Sequence, residues 1–101
     1  MLLAIDSYLV DVLMPDLTEH ERRPSAFLVY LYLWRHSLAM NQKVVTLSYQ
    51  QIAADAGLSK SAVQQAVKLL KRRRLISVFL SSPTATPAYR LHRPWSKPKH
   101  H

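Results

Sequence analysis

The chain has 101 residues, a formal net charge of +8 and no cysteine. This length allows one domain with a single core, and the lack of thiols excludes a disulfide framework, a thiolate nucleophile and a cysteine-based zinc site. The longest apolar run, residues 26–34, is far shorter than the roughly 20 residues that cross a bilayer, and the first residues lack the basic flank of a signal peptide. The composition therefore predicts a soluble, cytoplasmic protein that holds no cofactor.

The charge is distributed unevenly along the chain. All six acidic residues and only four basic ones lie in residues 1–55, whereas residues 56–101 carry ten basic residues and no acidic one. Such a one-sided distribution favours a polyanionic partner, with nucleic acid the commonest and an anionic membrane surface the second. A solvated basic face explains the charge alone nearly as well, so the motifs must decide between these interpretations.

The first 23 residues, here named the N-terminal extension, are predicted to form a helix and a connector. Apolar residues are dense over residues 1–14, which indicates at least one short helix that ends near Pro15. The polar residues that follow, up to Pro24, are expected to act as a connector.

A strongly apolar helix is predicted over residues 24–40. Its aromatic and β-branched content also suits a buried strand, but its length favours a helix, and Pro24 fits the first helical turn. Apolar residues occupy nearly every side of this helix, so one small core is not expected to cover them. We therefore predict a homodimer built on the N-terminal 40 residues, with large exposed side chains at Phe27, Tyr30, Leu31 and Trp34.

The middle of the chain carries the signals of a strand and two helices. Residues 44–47 are a short strand candidate, and Ser48 opens a capping box, S-x-x-Q, for a helix that runs through Ala56. Ser59 is a good N-cap for a second helix, predicted over residues 59–73.

Gly57, the only glycine, lies between these two helices. A chain that reverses within about three or four residues needs a residue with positive φ, which glycine adopts without steric cost. Ala53 is small enough to let the helices approach, Val63 can fill the shared core, and Ile52 and Leu58 complete the apolar cluster. These offsets are typical of a helix-turn-helix.

The C-terminal part is predicted to form a β-hairpin and a tail. Residues 75–80 and 88–93 resemble strands, and they flank a polar, proline-rich loop at residues 81–87. Residues 94–101 are expected to be a basic, flexible tail, whose final two histidines are either natural or left from expression.

The stretch TLSYQQIAADAGLSKSAVQQAVKLLKRRRLI, residues 46–76, resembles the winged helix-turn-helix superfamily. It is similar to bacterial regulators of the GntR and MarR kinds and to the N-terminal domains of phage and plasmid replication initiators. The resemblance extends over roughly residues 18–93. It implies a mostly α fold with a three-helix core, a helical N-terminal extension and a small β-hairpin wing, within a domain at residues 24–93. It also implies that residues 59–73 form the recognition helix and residues 75–93 the wing.

Side-chain chemistry divides the expected DNA contacts into two kinds. The best candidates for base edges are Lys60, Ser61, Gln64 and Gln65, because glutamine can bond adenine at two atoms and serine and lysine reach bases or phosphates. Lys68 is expected to meet phosphate. Ordinary solvated helix surface is the competing interpretation of the two glutamines.

The remaining predicted contacts are to the DNA backbone. The start of the first helix of the motif can bond phosphate through side chains and free N–H groups, and only some residues of the run KRRR are expected to touch DNA, because part of it can favour the helix C-terminus instead. The wing tip has no basic residue, which shifts the expected wing contacts to Arg90 and Arg93. The full predicted set is Tyr49, Gln50, Ser59, Lys60, Ser61, Gln64, Gln65, Lys68, Lys71, Arg72, Arg90 and Arg93.

The sequence offers little support for other chemistry. The five histidines have no metal-ligand spacing, there is no glycine-rich phosphate loop, and no serine, histidine and acid grouping indicates a triad. We therefore expect neither an enzyme, nor a metal site, nor a small-molecule ligand.

The predicted function is sequence-specific binding of double-stranded DNA by a homodimeric transcriptional regulator from a bacterium or phage. One alternative within the same chemistry is the DNA-binding domain of a replication initiator or plasmid-maintenance protein. The other alternative is a protein-interaction module that uses the apolar helix at residues 26–40.

Overall fold

The structure is a computed structural model that describes residues 2–37 and 41–96. The described residues form two short π-helical segments, three α-helices and one antiparallel sheet of three strands. The elements in chain order are the first π segment (Leu9–Leu13), the second π segment (Asp16–His20), α1 (Pro24–Ser37), β1 (Val45–Thr46), α2 (Tyr49–Ala56), α3 (Lys60–Arg72), β2 (Ile76–Phe79) and β3 (Ala88–Leu91).

The sheet has the order β1-β3-β2. Tyr89 of the central strand β3 pairs with Val45 on one side and with Val78 on the other. The hairpin of β2 and β3 confirms the prediction for residues 75–93, and β1 confirms the short strand predicted at residues 44–47. β1 thus closes the free edge of β3 beside α1.

The helix-turn-helix geometry predicted around Gly57 is confirmed. The Oγ atoms of Ser48 and Ser59 accept the N–H groups of the third residues after them, each at 3.0 Å, so both helices begin with a capped turn. Gly57 has φ +71°, in the left-handed region, and the N–H of Leu58 donates to the carbonyl of Ala53 at 2.9 Å. This bond satisfies a carbonyl group at the end of α2.

Helix α1 is buried on several sides within a single chain. Phe27, Tyr30 and Trp34 are only 8%, 0% and 3% exposed, so the prediction that they are exposed is wrong. α3 covers one side of α1, and the extension and the end of the hairpin cover others. The Tyr30 hydroxyl donates to the His92 carbonyl at 2.8 Å and the Trp34 indole N–H to the Ala4 carbonyl at 2.8 Å. The last residues predicted for this helix, 38–40, lie outside the described residues.

The N-terminal extension is helical beyond the predicted boundary. Its first π segment ends at Leu13, near Pro15 as predicted, but residues 16–20, predicted to belong to a connector, form the second π segment. Leu9, Leu13 and Leu17 recur every four residues and are all buried. Burial of Leu17 continues the same apolar stripe, which explains why the helical path passes Pro15.

Trp95, placed in the predicted tail, packs against the N-terminal extension. Trp95 stacks on Tyr8 with ring centroids 4.4 Å apart and planes inclined by 12°, and its indole N–H donates to Asp6 at 3.2 Å. Trp95 therefore joins the C-terminal end of the hairpin to the extension. Residues 97–101 of the predicted tail lie outside the described residues.

An ion-pair cluster fastens the extension to the end of α3. The Arg73 guanidinium donates to Asp16 at 2.5 Å and to Glu21 at 2.8 Å, and Arg72 lies 3.4 Å from Glu21. The hydrogen bond from Arg73 lowers the pKa of Asp16 below its ordinary value of 3.8, and the same contact raises the pKa of Arg73. Arg73 is thus neutralised by the extension.

The architecture is a winged helix-turn-helix with a helical extension, which confirms the predicted fold class. α1, α2 and α3 form the three-helix core, and the hairpin occupies the wing position. Within residues 2–37 and 41–96, none of the helices has the length and apolar character needed to span a membrane.

The left-handed conformation of Gly57 predicts a backbone effect on stability. A Cβ atom at this position meets nothing within 4 Å, so a substitution costs free energy through φ rather than through a clash. We expect Gly57→Val to lower the free energy of unfolding by about 1–3 kcal/mol. Gly57→Asn is the control, because asparagine tolerates left-handed φ, and it should cost clearly less in urea denaturation. Equal stability of the two variants would contradict this explanation.

The contact between Asp16 and Arg73 predicts a pH-dependent contribution to stability. Because the folded-state pKa of Asp16 is lowered, its contribution is complete above the unfolded-state value and is lost as the pH falls through the folded-state value. Asp16→Asn should lower the free energy of unfolding by about 1 kcal/mol at neutral pH. The difference from wild type should shrink as the pH falls through the lowered folded-state pKa of Asp16.

The matched control for Asp16 is Glu19→Gln, which removes the same charge from an exposed position of the same segment. Urea denaturation of both variants across the pH range measures the effect. An equal loss in the free energy of unfolding for both variants would show that net charge, not the contact with Arg73, is responsible.

Candidate nucleic-acid interface

One face of α3 is buried and the opposite face is exposed. Val63, Ala66, Val67 and Leu70 recur at helical spacing and pack into the core. The exposed face carries side chains that donate or accept hydrogen bonds, several of them cationic. Its members are Lys60, Ser61, Gln64, Gln65, Lys68, Lys71 and Arg72. All seven belong to the predicted set, and the structure brings them together on one helix.

A groove separates α3 from the hairpin. Its volume is about 350 Å³, and we name it the hairpin groove. Its lining combines polar residues of α2 and α3 with apolar residues of α3 and the hairpin. It is lined by Tyr49, Gln64, Val67, Lys68, Lys71, Val78 and Leu80. The fold therefore places Tyr49, predicted from its position at the start of α2, beside three predicted residues of α3.

The start of α2 borders the same surface. Tyr49 is half-buried and Gln50 is exposed. The Ser48 hydroxyl oxygen already accepts a hydrogen bond from the N–H of Gln51. The N–H groups of Tyr49 and Gln50 precede the first bond within the helix, so they can bond an anion.

A second cleft lies on the other side of α3, against the N-terminal extension. It has a volume of about 310 Å³ and is named the extension cleft, and its lining is Glu21, Arg23, Gln65, Lys68, Leu69 and Arg72. Here the Arg23 guanidinium donates to the Gln65 side-chain oxygen at 2.5 Å. Sequence reasoning missed Arg23, because a contact across 42 positions leaves no local pattern.

Two neighbouring arginines at the end of α3 differ in their surroundings. The Arg73 side chain is 31% exposed and paired with two carboxylates, whereas the Arg72 side chain is 70% exposed with one longer contact to Glu21. Arg72 therefore retains charge that an external anion can reach. Which residues of KRRR touch DNA stays a prediction.

Arg90 and Arg93 are not among the residues that line the hairpin groove or the extension cleft. Arg93 pairs with Asp6 at 3.5 Å, and its guanidinium lies 6.0 Å from the centre of the Trp34 ring. Arg90 lies opposite Ser77 in the sheet and lines a pocket with Lys43. The hairpin residues that line the hairpin groove are instead the apolar Val78 and Leu80.

The acidic groups near α3 are few. Glu21 is the one carboxylate that lines the extension cleft, and it is occupied by Arg72 and Arg73. Among residues 2–37 and 41–96, no group of three or more histidine, aspartate or glutamate side chains is placed to hold a metal ion. The surface around α3 is thus suited to an anionic partner.

A family model described as a helix-turn-helix domain matches residues 23–76, more than half of the chain. The matched range contains α1, β1, α2 and α3 and so includes both helices of the surface described above, whereas Glu21, Val78 and Leu80 lie outside it. Neither a curated protein nor a solved structure matches the chain significantly. The specific likeness to GntR and MarR regulators stays a prediction. The chain belongs to the helix-turn-helix domain family, which is part of the helix-turn-helix superfamily of DNA-binding domains.

Proposed function

We propose that this protein binds double-stranded DNA in a sequence-specific way and regulates transcription in a bacterium or phage. The observation that carries the proposal is the exposed face of α3, where Gln64 and Gln65 lie between cationic side chains on a helix held by the Gly57 turn. An α-helix fits the major groove of B-DNA, and base edges there present a distinct pattern of donors and acceptors for each base pair.

The residues near the start of α3 are proposed to contact bases. In helix-turn-helix domains the N-terminal part of the second helix reaches base edges. Lys60, Ser61 and Gln64 are all exposed in the first part of α3. Gln64 makes no hydrogen bond with the described residues, so both its amide groups are available to an adenine edge.

The proposed backbone contacts surround this reading surface. Lys68, Lys71 and Arg72 follow along α3, and Tyr49 and Gln50 lie at the start of α2. Phosphate contacts carry no sequence information, but they fix the position of the helix on the duplex. Arg90 and Arg93 contribute in this proposal through the long-range positive field rather than through contacts beside α3.

The alternative role as a protein-interaction module has lost its main support. That interpretation needed an exposed apolar face on α1, but Phe27, Tyr30 and Trp34 are buried by the chain itself. A role in replication uses the same surface to read DNA.

A homodimer through the N-terminal 40 residues is also proposed, with a revised set of contact residues. The large apolar side chains exposed in this part of the chain belong mostly to the extension rather than to α1. They are Leu2, Leu3, Ile5, Val10, Val12, Met14 and Leu28. A second copy that covered them would remove apolar surface from water.

The proposed phosphate contacts predict a steep dependence of affinity on salt. A dimer with about 6–10 phosphate contacts should lose roughly three to five decades of affinity between about 50 and 200 mM salt, because counterions are released on binding. A gel shift with random duplex at low salt tests binding, and a salt titration then measures how steeply the affinity falls with salt concentration. No retention at low salt would favour the interaction module.

The division between base and phosphate contacts predicts different effects for neighbouring residues. Gln64→Ala should cost about 1–3 kcal/mol on the preferred site and relax the preference at one base pair per half-site. Lys68→Ala should weaken all sequences equally and reduce the salt slope by about 1. Selection from a random duplex pool and salt titrations distinguish the two.

The control for this pair is Lys43→Ala, which removes the same charge beside Arg90 rather than on α3. It should leave both the selected motif and the salt slope close to those of the wild type. An unchanged motif for Gln64→Ala would show that this glutamine is solvated surface.

The revised dimer surface predicts that a charge on the exposed side of the extension or α1 disrupts assembly. Leu28→Lys should give the monomer mass in light scattering at micromolar concentration, whereas the wild type should give the dimer mass. Leu80→Lys is the control, because Leu80 is equally apolar and also exposed but lies on the hairpin. A wild-type protein with the monomer mass would refute the dimer.

A further inference from the structure

We propose that Arg23 is a specificity-determining residue, which directs Gln65 to read guanine in preference to adenine. This inference rests on the proposed function, because it assumes that α3 lies in the major groove. It concerns a residue outside the predicted set and gives the two adjacent glutamines different roles.

The backbone of Arg23 is fixed where the extension meets α1. Its N–H donates to the Leu17 carbonyl at 2.9 Å, and its own carbonyl accepts the N–H of Ala26 at 2.9 Å. Pro24 follows it with a restricted φ, and Arg22 before it has φ +53°, which turns the chain sharply. The base of the side chain is therefore held in place, and it reaches α3 across the extension cleft.

The contact with Gln65 has a defined polarity. Arginine only donates hydrogen bonds, so the atom that meets Arg23 Nη1 must be the Gln65 carbonyl oxygen, 2.5 Å away. Arg23 thereby occupies one lone pair of this oxygen and places a cation beside it. The two N–H groups of the Gln65 amide stay available for an external acceptor.

The charge of Arg23 is not neutralised by the described residues. Glu21, the one carboxylate lining the extension cleft, pairs with Arg72 and Arg73. Lys68 and Arg72 add positive charge to the same cleft. Gln65 thus has three cationic donors around it while the cleft's carboxylate is already paired, so a group that itself donates a hydrogen bond is disfavoured there.

This polarity distinguishes the two purines. Guanine presents two acceptors in the major groove, N7 and O6, whereas adenine presents the acceptor N7 and the donor N6–H₂. Adenine needs the Gln65 oxygen as its acceptor, but the Arg23 cation beside that oxygen repels the approaching donor. Guanine needs only donors, which the Gln65 amide and the remaining N–H groups of Arg23 supply.

Gln64 provides the internal comparison. It lies on the hairpin groove, not the extension cleft, and it makes no hydrogen bond with the described residues. Its free amide suits adenine. One dipeptide can therefore read two different bases, because different elements surround its two side chains.

The test is selection from a random duplex pool with three proteins: the wild type, Arg23→Met and Gln65→Ala. The position at which Gln65→Ala loses its base preference identifies the base pair that Gln65 contacts. The wild type should prefer guanine there, and Arg23→Met should shift the preference to adenine, with the guanine-to-adenine ratio falling about tenfold. Other positions of the motif should not change.

The matched control is Arg22→Met, which removes the same charge from the preceding, exposed position. It should leave the guanine preference intact. If Arg23→Met selects the wild-type motif, or weakens all sequences equally without changing the motif, Arg23 is at most a phosphate contact and the inference is overturned.

A second variant covers the case in which Arg23→Met lowers the melting temperature too far for selection. Gln65→Glu keeps an acceptor for Arg23 but removes the amide donors, so its preference should change from guanine to cytosine, whose N4 donates to carboxylate. If this variant keeps the preference for guanine, the inference is overturned. A wild-type protein that selects no motif would defeat the proposed function itself, whereas a wild-type motif indifferent to both variants defeats only the role of Arg23.

Discussion

The packing of α1 in the centre of the chain is the constraint on which the rest of the structure depends. α3 lies against one side of α1, and the extension and hairpin close over others, so Tyr30 is fully buried in a chain of 101 residues. A small domain reaches a sufficient core only when nearly every element shares one apolar centre. The orientation of α3 is consequently set by α1 from behind and by the Gly57 turn at its start. An exposed face so firmly supported can present side chains to a partner with little reorganisation.

The charge of the sequence differs from the charge available at the surface. Residues 56–101 contain no acid, yet Arg73 and Arg93 meet carboxylates that come from the extension. Folding thus neutralises part of the basic half with the acidic half and leaves Lys68, Lys71 and Arg72 exposed on α3. Charge counted along the chain indicates the class of partner, and tertiary pairing decides which cations reach it.

The parts of the fold that were predictable from sequence are those with local causes. The serine caps and the left-handed Gly57 depend on residues within a few positions, and the hairpin pairs strands that follow one another in the chain; all are confirmed. The errors concern long-range burial. Trp34 looked exposed because its cover comes from residues near position 4, and residues 16–20 looked like a connector because only Leu17 reveals the buried stripe. The residues of the candidate site show the same difference between local and long-range causes. The residues of α3 follow from helical periodicity, whereas Arg23 depends on a fold that joins positions 42 apart.

The N-terminal extension links two properties that are usually considered separately. It carries most of the exposed apolar residues proposed for the dimer, and its last residue, Arg23, bonds to Gln65 on the proposed reading helix. Its carboxylates also hold Arg73 at the other end of α3. In the proposed dimer, the segment that sets the distance between the two copies of α3 would therefore also orient Gln65, one of the side chains proposed to read bases. A displacement of the extension would change half-site spacing and base preference together, because both depend on the same contacts between the extension and α3.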